Sequence, residues 1–148
     1  MILFLDFDGV LHAASNHANS QEQFKRLPLL ENWLRANLDV DIVISSSWRE
    51  DLEFEALVQL FREDLRHRVI GKCPIILLTE DMNYYRFEEI KSWLKLEKYD
   101  GLWLALDDAT HEFPPYFDKV VVCQKNIGID DMVLKMSNDK YCEPKSSL

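Results

Sequence analysis

The sequence contains few cysteines, and none of them form a closely spaced pair. Its three cysteines, Cys73, Cys123 and Cys142, are an odd number, and no Cys-x-x-Cys spacing occurs among them. We therefore expect ordinary reduced thiols in a cytoplasmic protein. Cys123 follows the apolar run Val120–Val122 and is expected to lie in the core.

Basic residues are also scarce. Acidic residues outnumber them by 26 to 17, which gives a net charge of −9. This balance disfavours a broad nucleic-acid or membrane-surface interface, because such an interface needs a basic face. The run of Arg62, Arg66, Arg68 and Lys72 has two interpretations that agree with this charge balance. It could form a local basic groove, or it could be a solvated helix end. The apolar start of the chain is broken at Asp6 and no segment approaches transmembrane length, so we expect neither a signal peptide nor a membrane segment.

Apolar runs and helical patterns alternate along the 148 residues, a length typical of one domain. Strands are predicted at Ile2–Leu5, Ile42–Ile44, Val69–Ile70, Leu102–Leu106 and Lys119–Cys123. Helices are predicted at Leu29–Leu38, Asp51–Leu65, Phe87–Leu96 and Ile129–Met136. Such alternation is typical of a Rossmann-like α/β sandwich of three layers, with helices on both faces of a parallel sheet. We predict one domain over residues 1–137 and a weakly ordered tail over residues 138–148.

Polar side chains follow three of the predicted strands. Asp6 and Asp8 follow the first strand, the serines Ser45–Ser47 follow the second, and Asp107–Asp108 follow the fourth. The helix before that fourth strand opens with Arg86. Because ligands of α/β proteins bind at the carboxyl ends of parallel strands, we expect these side chains to gather at one edge of the sheet.

The first of these groups points to a cation. The chain turns at Gly9, so the carboxylates of Asp6 and Asp8 can converge, and converging carboxylates repel unless a cation or a shared proton separates them. A hard divalent cation, most simply Mg²⁺, satisfies both. A calcium loop is a poor alternative, because Gly9 stands fourth from Asp6 instead of sixth and His17 occupies the position of the closing glutamate.

Together these residues resemble the motifs of the haloacid-dehalogenase-like (HAD) superfamily over nearly the whole chain. Its first motif is similar to Leu5–Val10, its second to the serines after Ile44, and its acidic fourth motif to Leu106–Asp108. The closer resemblance is to the HAD domain of Swiss Army Knife RNA repair proteins. That group shows a strand that runs into Ser-Ser-Trp-Arg, here Ser46–Arg49, and an Arg-x-x-Glu-Ile helix start, here Arg86–Ile90.

The resemblance implies a reaction through an aspartyl-phosphate. Asp6 would attack phosphorus as the nucleophile. Asp8 would protonate the leaving oxygen and then deprotonate the hydrolytic water. Mg²⁺ would be held by the Asp6 carboxylate, by the backbone carbonyl of Asp8 and by Asp107 or Asp108, directly or through water.

The resemblance also implies a set of phosphate ligands. Ser46 or Ser45 would bind phosphoryl oxygens, and backbone N–H groups of the loop around Gly9 would help to cradle them. The third motif of the superfamily is usually a lysine. Arg86 stands in the best position for that role and Lys91 is the second choice. Arginine can hold a phosphate bidentately, so the replacement is compatible with function.

Several of these residues have simpler interpretations as well. Arg49 either lies on the surface or contacts the substrate beyond its phosphate, and Arg86 could pair with a neighbouring glutamate. Asp107–Asp108 could cap a helix, and serines commonly end strands. The histidines show no ligand spacing and are expected to face solvent; they are His12, His17, His67 and His111. His12 nevertheless stands close enough to the first motif for substrate contact. The tryptophans expected in the core are Trp33, Trp93 and Trp103.

The spacing of the motifs bears on the substrate. About 40 residues separate Asp8 from Ser46 and about 40 more reach Arg86, too few for an inserted cap domain. We therefore expect an essentially capless phosphatase with an open site, suited to a bulky substrate such as a polynucleotide end or a phosphoprotein, or covered by a partner protein or a second protomer. A non-catalytic binding or regulatory module and a phosphotransferase are the alternatives.

Overall fold

The computed structural model describes residues 1–141 of the chain. Within this range the structure contains five β-strands and five α-helices. The strands are β1 (Ile2–Leu5), β2 (Asp41–Ile44), β3 (Val69–Lys72), β4 (Trp103–Asp107) and β5 (Val120–Val122). The helices are α1 (Leu27–Ala36), α2 (Trp48–Asp51), α3 (Phe54–Gln59), α4 (Tyr85–Leu96) and α5 (Asp131–Tyr141). Short 3₁₀ helices lie at Ala14–Asn16, Glu63–Arg68 and Thr110–Glu112.

All neighbouring strands of the sheet are parallel, in the order β3-β2-β1-β4-β5. The strand β1 therefore lies at the centre. Its residues alternate between two apolar cores, since Leu3 and Leu5 pack into one core and Ile2 and Phe4 into the other. Burial on both faces is what a parallel sheet between helical layers requires. The predicted α/β fold is confirmed.

The strand register positions the functional edge of the sheet. Leu5 at the end of β1 is level with Ile44 of β2 and with Leu106 of β4. The residues that follow in the three strands are Asp6, Ser45 and Asp107. The Ser45 N–H donates to the Leu5 carbonyl at 2.9 Å, and the Asp6 N–H donates to the Leu106 carbonyl at 3.1 Å, so the ladder continues to this level. Three polar residues are thus fixed side by side.

No separate cap domain forms within residues 1–141. The connection from β1 to β2 contains only the turn at Ala14–Asn16 and α1, and residues 73–84 between β3 and α4 form neither helix nor strand. The described residues also contain no helix that is long and apolar enough to cross a membrane.

The single helix predicted at Asp51–Leu65 is wrong. The structure breaks this segment into α2, α3 and a 3₁₀ helix, and Asp51 ends α2 instead of opening a helix. Leu52 adopts an extended backbone with φ −115° and ψ 139°, which terminates the first piece. Arg62 also leaves helical geometry, with φ −59° and ψ 147°, and its N–H donates to the buried carboxylate of Glu31 at 2.7 Å instead of to a helical carbonyl.

The other elements differ from the predictions mainly at their ends. Helix α5 continues to Tyr141, beyond the predicted end at Met136, and the rest of the predicted tail, residues 142–148, lies outside the described residues. The three tryptophans expected in the core are buried. Cys73 and Cys123 are buried and free, and burial raises the pKa of the Cys73 thiol to about 12. Cys142 lies outside the described residues.

Candidate active site

Three carboxylates form a cluster at the edge where β1 and β4 end. One oxygen each of Asp6, Asp107 and Asp108 lies within 4.8 Å of the others. Oδ1 of Asp107 accepts the Ala109 N–H at 2.9 Å, whereas the buried Oδ2 of Asp107 has no hydrogen-bond partner among the described residues. A set of convergent carboxylate oxygens, one of them buried and without a hydrogen bond, fits a hard divalent cation such as Mg²⁺.

The loop after β1 is shaped to admit Asp108. Gly9 has a φ of 76°, and a Cβ at this position would lie 2.2 Å from Oδ2 of Asp108. No side chain fits here without displacing the carboxylate. The structure therefore gives Gly9 a role in making room for Asp108, in addition to the phosphate cradle predicted for its loop.

Burial and mutual repulsion raise the pKa values of two carboxyl groups in this cluster, Asp6 and Asp107. Burial raises the pKa of Asp6 well above its ordinary value, the Asp107 carboxylate raises it further, and Arg86 opposes both effects. Burial is also the main cause that raises the pKa of Asp107 to about 6. A divalent cation would relieve the same repulsion that protonation relieves.

Arg86 reaches the cluster from the first turn of α4. Its Nη1 lies 3.6 Å from Oδ1 of Asp6 and its Nε lies 3.8 Å from Oδ2 of Asp107. The same guanidinium donates to the Ser45 carbonyl. Burial lowers the pKa of Arg86, but the two carboxylates raise it more, so the side chain stays charged. Lys91, the second choice for the third motif, lies away from this cluster and pairs with Glu88 at 2.8 Å.

The two serines predicted as alternative phosphate ligands are in different states. Ser46 Oγ accepts the Trp48 N–H at 3.2 Å and so serves the start of α2. Ser45 Oγ is buried and has no hydrogen-bond partner within residues 1–141. A buried hydroxyl without a partner is rare and is compatible with a ligand atom that completes it. The geometry therefore favours Ser45 over Ser46 as the phosphate ligand.

The carboxylate of Asp8 does not belong to the carboxylate cluster, so the expectation that the carboxylates of Asp6 and Asp8 converge is wrong. Its Oδ1 is 2.6 Å from Nε2 of His12, and its Oδ2 is 2.7 Å from Nδ1 of His17. The indole N–H of Trp48 lies 3.2 Å from both oxygens. His12 is only 1% exposed, so the expectation that it faces solvent is wrong. The side chain of His17 is exposed as expected, yet it too binds Asp8.

Arg49 also differs from its prediction. Its side chain is buried, and its guanidinium donates to the carbonyls of Cys73, Ser45 and Ser46 at 2.9 to 3.1 Å. It also binds the carboxylate of Glu89 on α4. Arg49 is therefore not a surface residue, and the contacts of its guanidinium that the structure shows are made within the chain. It ties the ends of β2 and β3 to α4.

The sequence interpretation missed His12, His17 and Trp48 as partners of Asp8. One local signal for His12 exists. A glycine directly after Asp8 allows the chain to fold back, and the Gly9 N–H donates to the His12 carbonyl at 2.9 Å. The contacts that His17 and Trp48 make with Asp8 depend on tertiary packing, so the spacing of these residues in the sequence does not predict them.

Comparison with known proteins adds a family to this geometry. The model of one protein family, described as the HAD domain in Swiss Army Knife RNA repair proteins, matches residues 2–133. The matched range runs from β1 into the first turn of α5 and includes every residue of the candidate site. Neither the curated proteins nor the solved structures contain a match. Since the family model covers most of the chain and the parallel sheet agrees with it, the chain belongs to the family of HAD domains in Swiss Army Knife RNA repair proteins.

Proposed function

We propose that this chain is a Mg²⁺-dependent phosphomonoester hydrolase that works through an aspartyl-phosphate on Asp6. Membership in a HAD family supports a hydrolase-like function at the level of the superfamily. The observation that carries the proposal is the convergence of Asp6, Asp107 and Asp108 with the guanidinium of Arg86, 3.6 Å from Asp6. Carboxylates held together beside a fixed arginine can bind a cation and a phosphoryl group.

In the first half of the reaction, a carboxylate oxygen of Asp6 attacks phosphorus and the bond from phosphorus to the leaving oxygen breaks. Asp8 gives its proton to that oxygen. In the second half, Asp8 takes a proton from water, the water oxygen attacks phosphorus, and the bond to Asp6 breaks. Inorganic phosphate leaves and both aspartates return to their starting states.

The remaining residues orient and neutralise the phosphoryl group. Arg86 and the Ser45 hydroxyl would bind its oxygens, which is the electrostatic and positional work that phosphoryl transfer needs. Asp6, Asp107 or Asp108 and the Asp8 carbonyl would hold Mg²⁺. When bound, the cation supplies positive charge that favours ionised Asp6 and offsets charge on the phosphoryl oxygens.

We propose a bulky substrate, and a phosphorylated polynucleotide end before others. No cap domain restricts access among residues 1–141, and the family is named for RNA repair proteins. The net charge of −9 weighs against long contacts with a phosphate backbone, so recognition is expected to centre on the terminal phosphate and its nearest groups.

The first test is phosphate release from a panel of an aryl phosphate, nucleotides, and oligonucleotides with 3′- or 5′-phosphates. Each is assayed with Mg²⁺ and with EDTA. We expect release that depends on Mg²⁺ and falls at least about 1,000-fold in Asp6→Asn, because this variant lacks the nucleophile. Asp118→Asn makes the same chemical change at an exposed site and is expected to behave as the wild type.

Activity that survives in Asp6→Asn would contradict the proposal. Binding of Mg²⁺ without turnover of any substrate in the panel would favour the non-catalytic module. Faster consumption of the phosphate donor on addition of an alcohol or a sugar, with a phosphorylated acceptor as product, would favour a phosphotransferase.

A further inference from the structure

We propose that His12, His17 and Trp48 are positioning residues that hold Asp8 where it protonates the leaving oxygen. This inference rests on the proposed function and assigns a task to three side chains to which no role in the reaction has been given above. Three ring nitrogens from two segments of the chain converge on one carboxylate, at 2.6, 2.7 and 3.2 Å. Such convergence fixes both the place and the rotation of a carboxyl group.

The tautomer of His12 follows from its second contact. Nδ1 of His12 lies 3.2 Å from the backbone N of Phe24, which can only donate. Nδ1 is therefore the accepting nitrogen, and the ring hydrogen is on Nε2, which donates to Oδ1 of Asp8. His12 is buried and its side chain has no exposed surface, so this donor is fixed. Oδ1 is therefore held by a fixed donor, whereas Oδ2 contacts the exposed His17 ring and the Trp48 indole.

Trp48 is held in place by its aromatic neighbours. Its ring packs edge-on against Phe24 at 5.1 Å and against Phe7 at 5.9 Å between centroids. Phe24 in turn packs against the ring of His12 at 5.3 Å. Aromatic rings that interlock at these angles have few alternative rotamers. The indole N–H is therefore a second preorganised donor, and it bridges both oxygens of Asp8.

His17 contributes from the solvent side. It lies on the turn after the 3₁₀ helix Ala14–Asn16, its side chain is 57% exposed, and its ring contacts Trp48 at 5.4 Å. The Asp8 side chain itself is one-quarter exposed. Without His17, the outer oxygen of Asp8 would bond to water, and the carboxyl group could rotate toward solvent. His17 thus closes the open side of the Asp8 position.

This role predicts a dependence on the leaving group. An alkoxide leaves from phosphorus only when it receives a proton, whereas 4-nitrophenolate leaves without one. A misplaced Asp8 therefore slows the transfer of phosphorus to Asp6 for an alkyl phosphate and spares it for 4-nitrophenyl phosphate. Because kcat/KM reports steps up to the first irreversible one, the ratio of the two kcat/KM values isolates this effect.

The test compares His17→Ala, His17→Asn, Trp48→Phe and His12→Gln with the wild type on 4-nitrophenyl phosphate and a nucleoside 3′-monophosphate. His17→Ala and Trp48→Phe each remove a ring nitrogen that contacts Asp8. We expect a loss of about 10- to 100-fold in kcat/KM for the alkyl phosphate and less than about 3-fold for the aryl phosphate. His17→Asn and His12→Gln keep an N–H near the original nitrogen. We therefore expect their ratio of kcat/KM for the alkyl phosphate to kcat/KM for the aryl phosphate to lie partway back toward the wild-type ratio. His67→Ala, an exposed histidine on a different element, is the matched control.

Equal losses on both substrates, or no loss on either, would overturn the inference while the Asp6→Asn result leaves the proposed function intact. A wild type that hydrolyses only the aryl phosphate would also overturn it. No hydrolysis of either substrate by the wild type would overturn the proposed function and the inference with it. His17 is exposed, so its variants are expected to fold even if a change at His12 does not, and a thermal melt of each variant verifies this.

Discussion

Asp6 and Asp8 are two residues apart in the chain, but their carboxylates lie in opposite electrostatic surroundings. Asp6 lies among carboxylates, with the guanidinium of Arg86 as its nearest cation. Asp8 lies among ring nitrogens, with no other carboxylate in its set of contacts. The first environment calls for a cation, and the second supplies the positive ends of N–H dipoles directly. Under the proposed function, a motif that looks symmetrical in sequence is thus divided into two halves, which we call the cation-binding half (Asp6) and the proton-transfer half (Asp8).

The two halves also differ in how the chain supports them. Asp6 follows β1 directly and shares its level with residues at the ends of β2 and β4. Asp8 stands in the loop that turns at Gly9, and its partners come from that loop and from the short helix α2. The cation-binding half is therefore part of the sheet edge, whereas the proton-transfer half is assembled from side chains packed in a loop.

The largest effect that separates the halves is expected from phosphoenzyme trapping. Asp8→Asn keeps the nucleophile but removes the base that activates water, so the aspartyl-phosphate formed from an aryl phosphate accumulates. We expect turnover to fall by about 100- to 10,000-fold and intact-mass spectrometry after an acid quench to show the phosphorylated chain. Asp6→Asn is the matched variant and is expected to give no phosphorylated species. Accumulation in Asp6→Asn instead would show that the two roles are exchanged.

A change at the junction of the halves is expected to have the next largest effect. In Gly9→Ala the added Cβ meets Oδ2 of Asp108 at 2.2 Å, and φ is 76°. We expect a loss of about 100-fold in kcat/KM through displacement of Asp108, together with a destabilisation of about 1 to 3 kcal/mol measured by urea unfolding. Combining Gly9→Ala with Asp108→Gly removes the contact and should restore part of the stability without activity. Strict additivity of the two free-energy changes would contradict the contact.

The smallest effect concerns the repulsion within the cation-binding half. Without a cation, the folded protein keeps protons on Asp6 and Asp107 to a higher pH than the unfolded chain, since the pKa of Asp107 is raised from 3.8 to about 6. The folded state then binds more protons between these pH values, so this contribution to the free energy of unfolding decreases as the pH rises through that interval. In EDTA, Asp107→Asn is expected to be more stable than the wild type at pH 7 by on the order of 2 kcal/mol, and to lose this advantage near pH 4.

Thermal or urea unfolding at several pH values measures this difference, with Asp118→Asn as the exposed control. Addition of Mg²⁺ at pH 7 is expected to stabilise the wild type, because a bound cation offsets the repulsion among the ionised carboxylates. The same addition is expected to stabilise Asp107→Asn less, because that variant lacks one carboxylate of the cluster. A variant that is less stable than the wild type at pH 7 in EDTA would show that repulsion is not what destabilises the cluster.

The cation-binding half was predictable because it depends on strand ends. Asp6 and Asp107 each follow a continuous apolar strand, and parallel strands end at a common edge, so their proximity follows from the fold class. The position of Arg86 at the start of a helix was predictable because helical spacing of apolar residues begins directly after it. The family resemblance added the chemical roles, which apolar periodicity alone does not contain.

The proton-transfer half was less predictable because its contacts are made by side chains across loops. His17 and Trp48 reach Asp8 through packing that leaves no periodic trace in the sequence. Arg49 is a further example, since nothing in the nearby sequence reveals that its guanidinium donates to backbone carbonyl groups and to Glu89. The break of the predicted helix at Arg62 likewise depends on Glu31, a residue far away in the chain.

Asp6, Ser45 and Asp107 lie side by side at the ends of neighbouring strands, and this has a consequence for local unfolding. Amide hydrogens of central strands exchange with solvent only through near-global opening, whereas loops open at much lower free energy. The Asp6 N–H and the Ser45 N–H belong to the ladder of β1, β2 and β4, so their exchange is expected to be among the slowest in the protein. The loop that carries Asp8 is expected to exchange faster. At low urea concentrations the protein would therefore lose proton transfer first, while its cation site persists until the sheet itself unfolds.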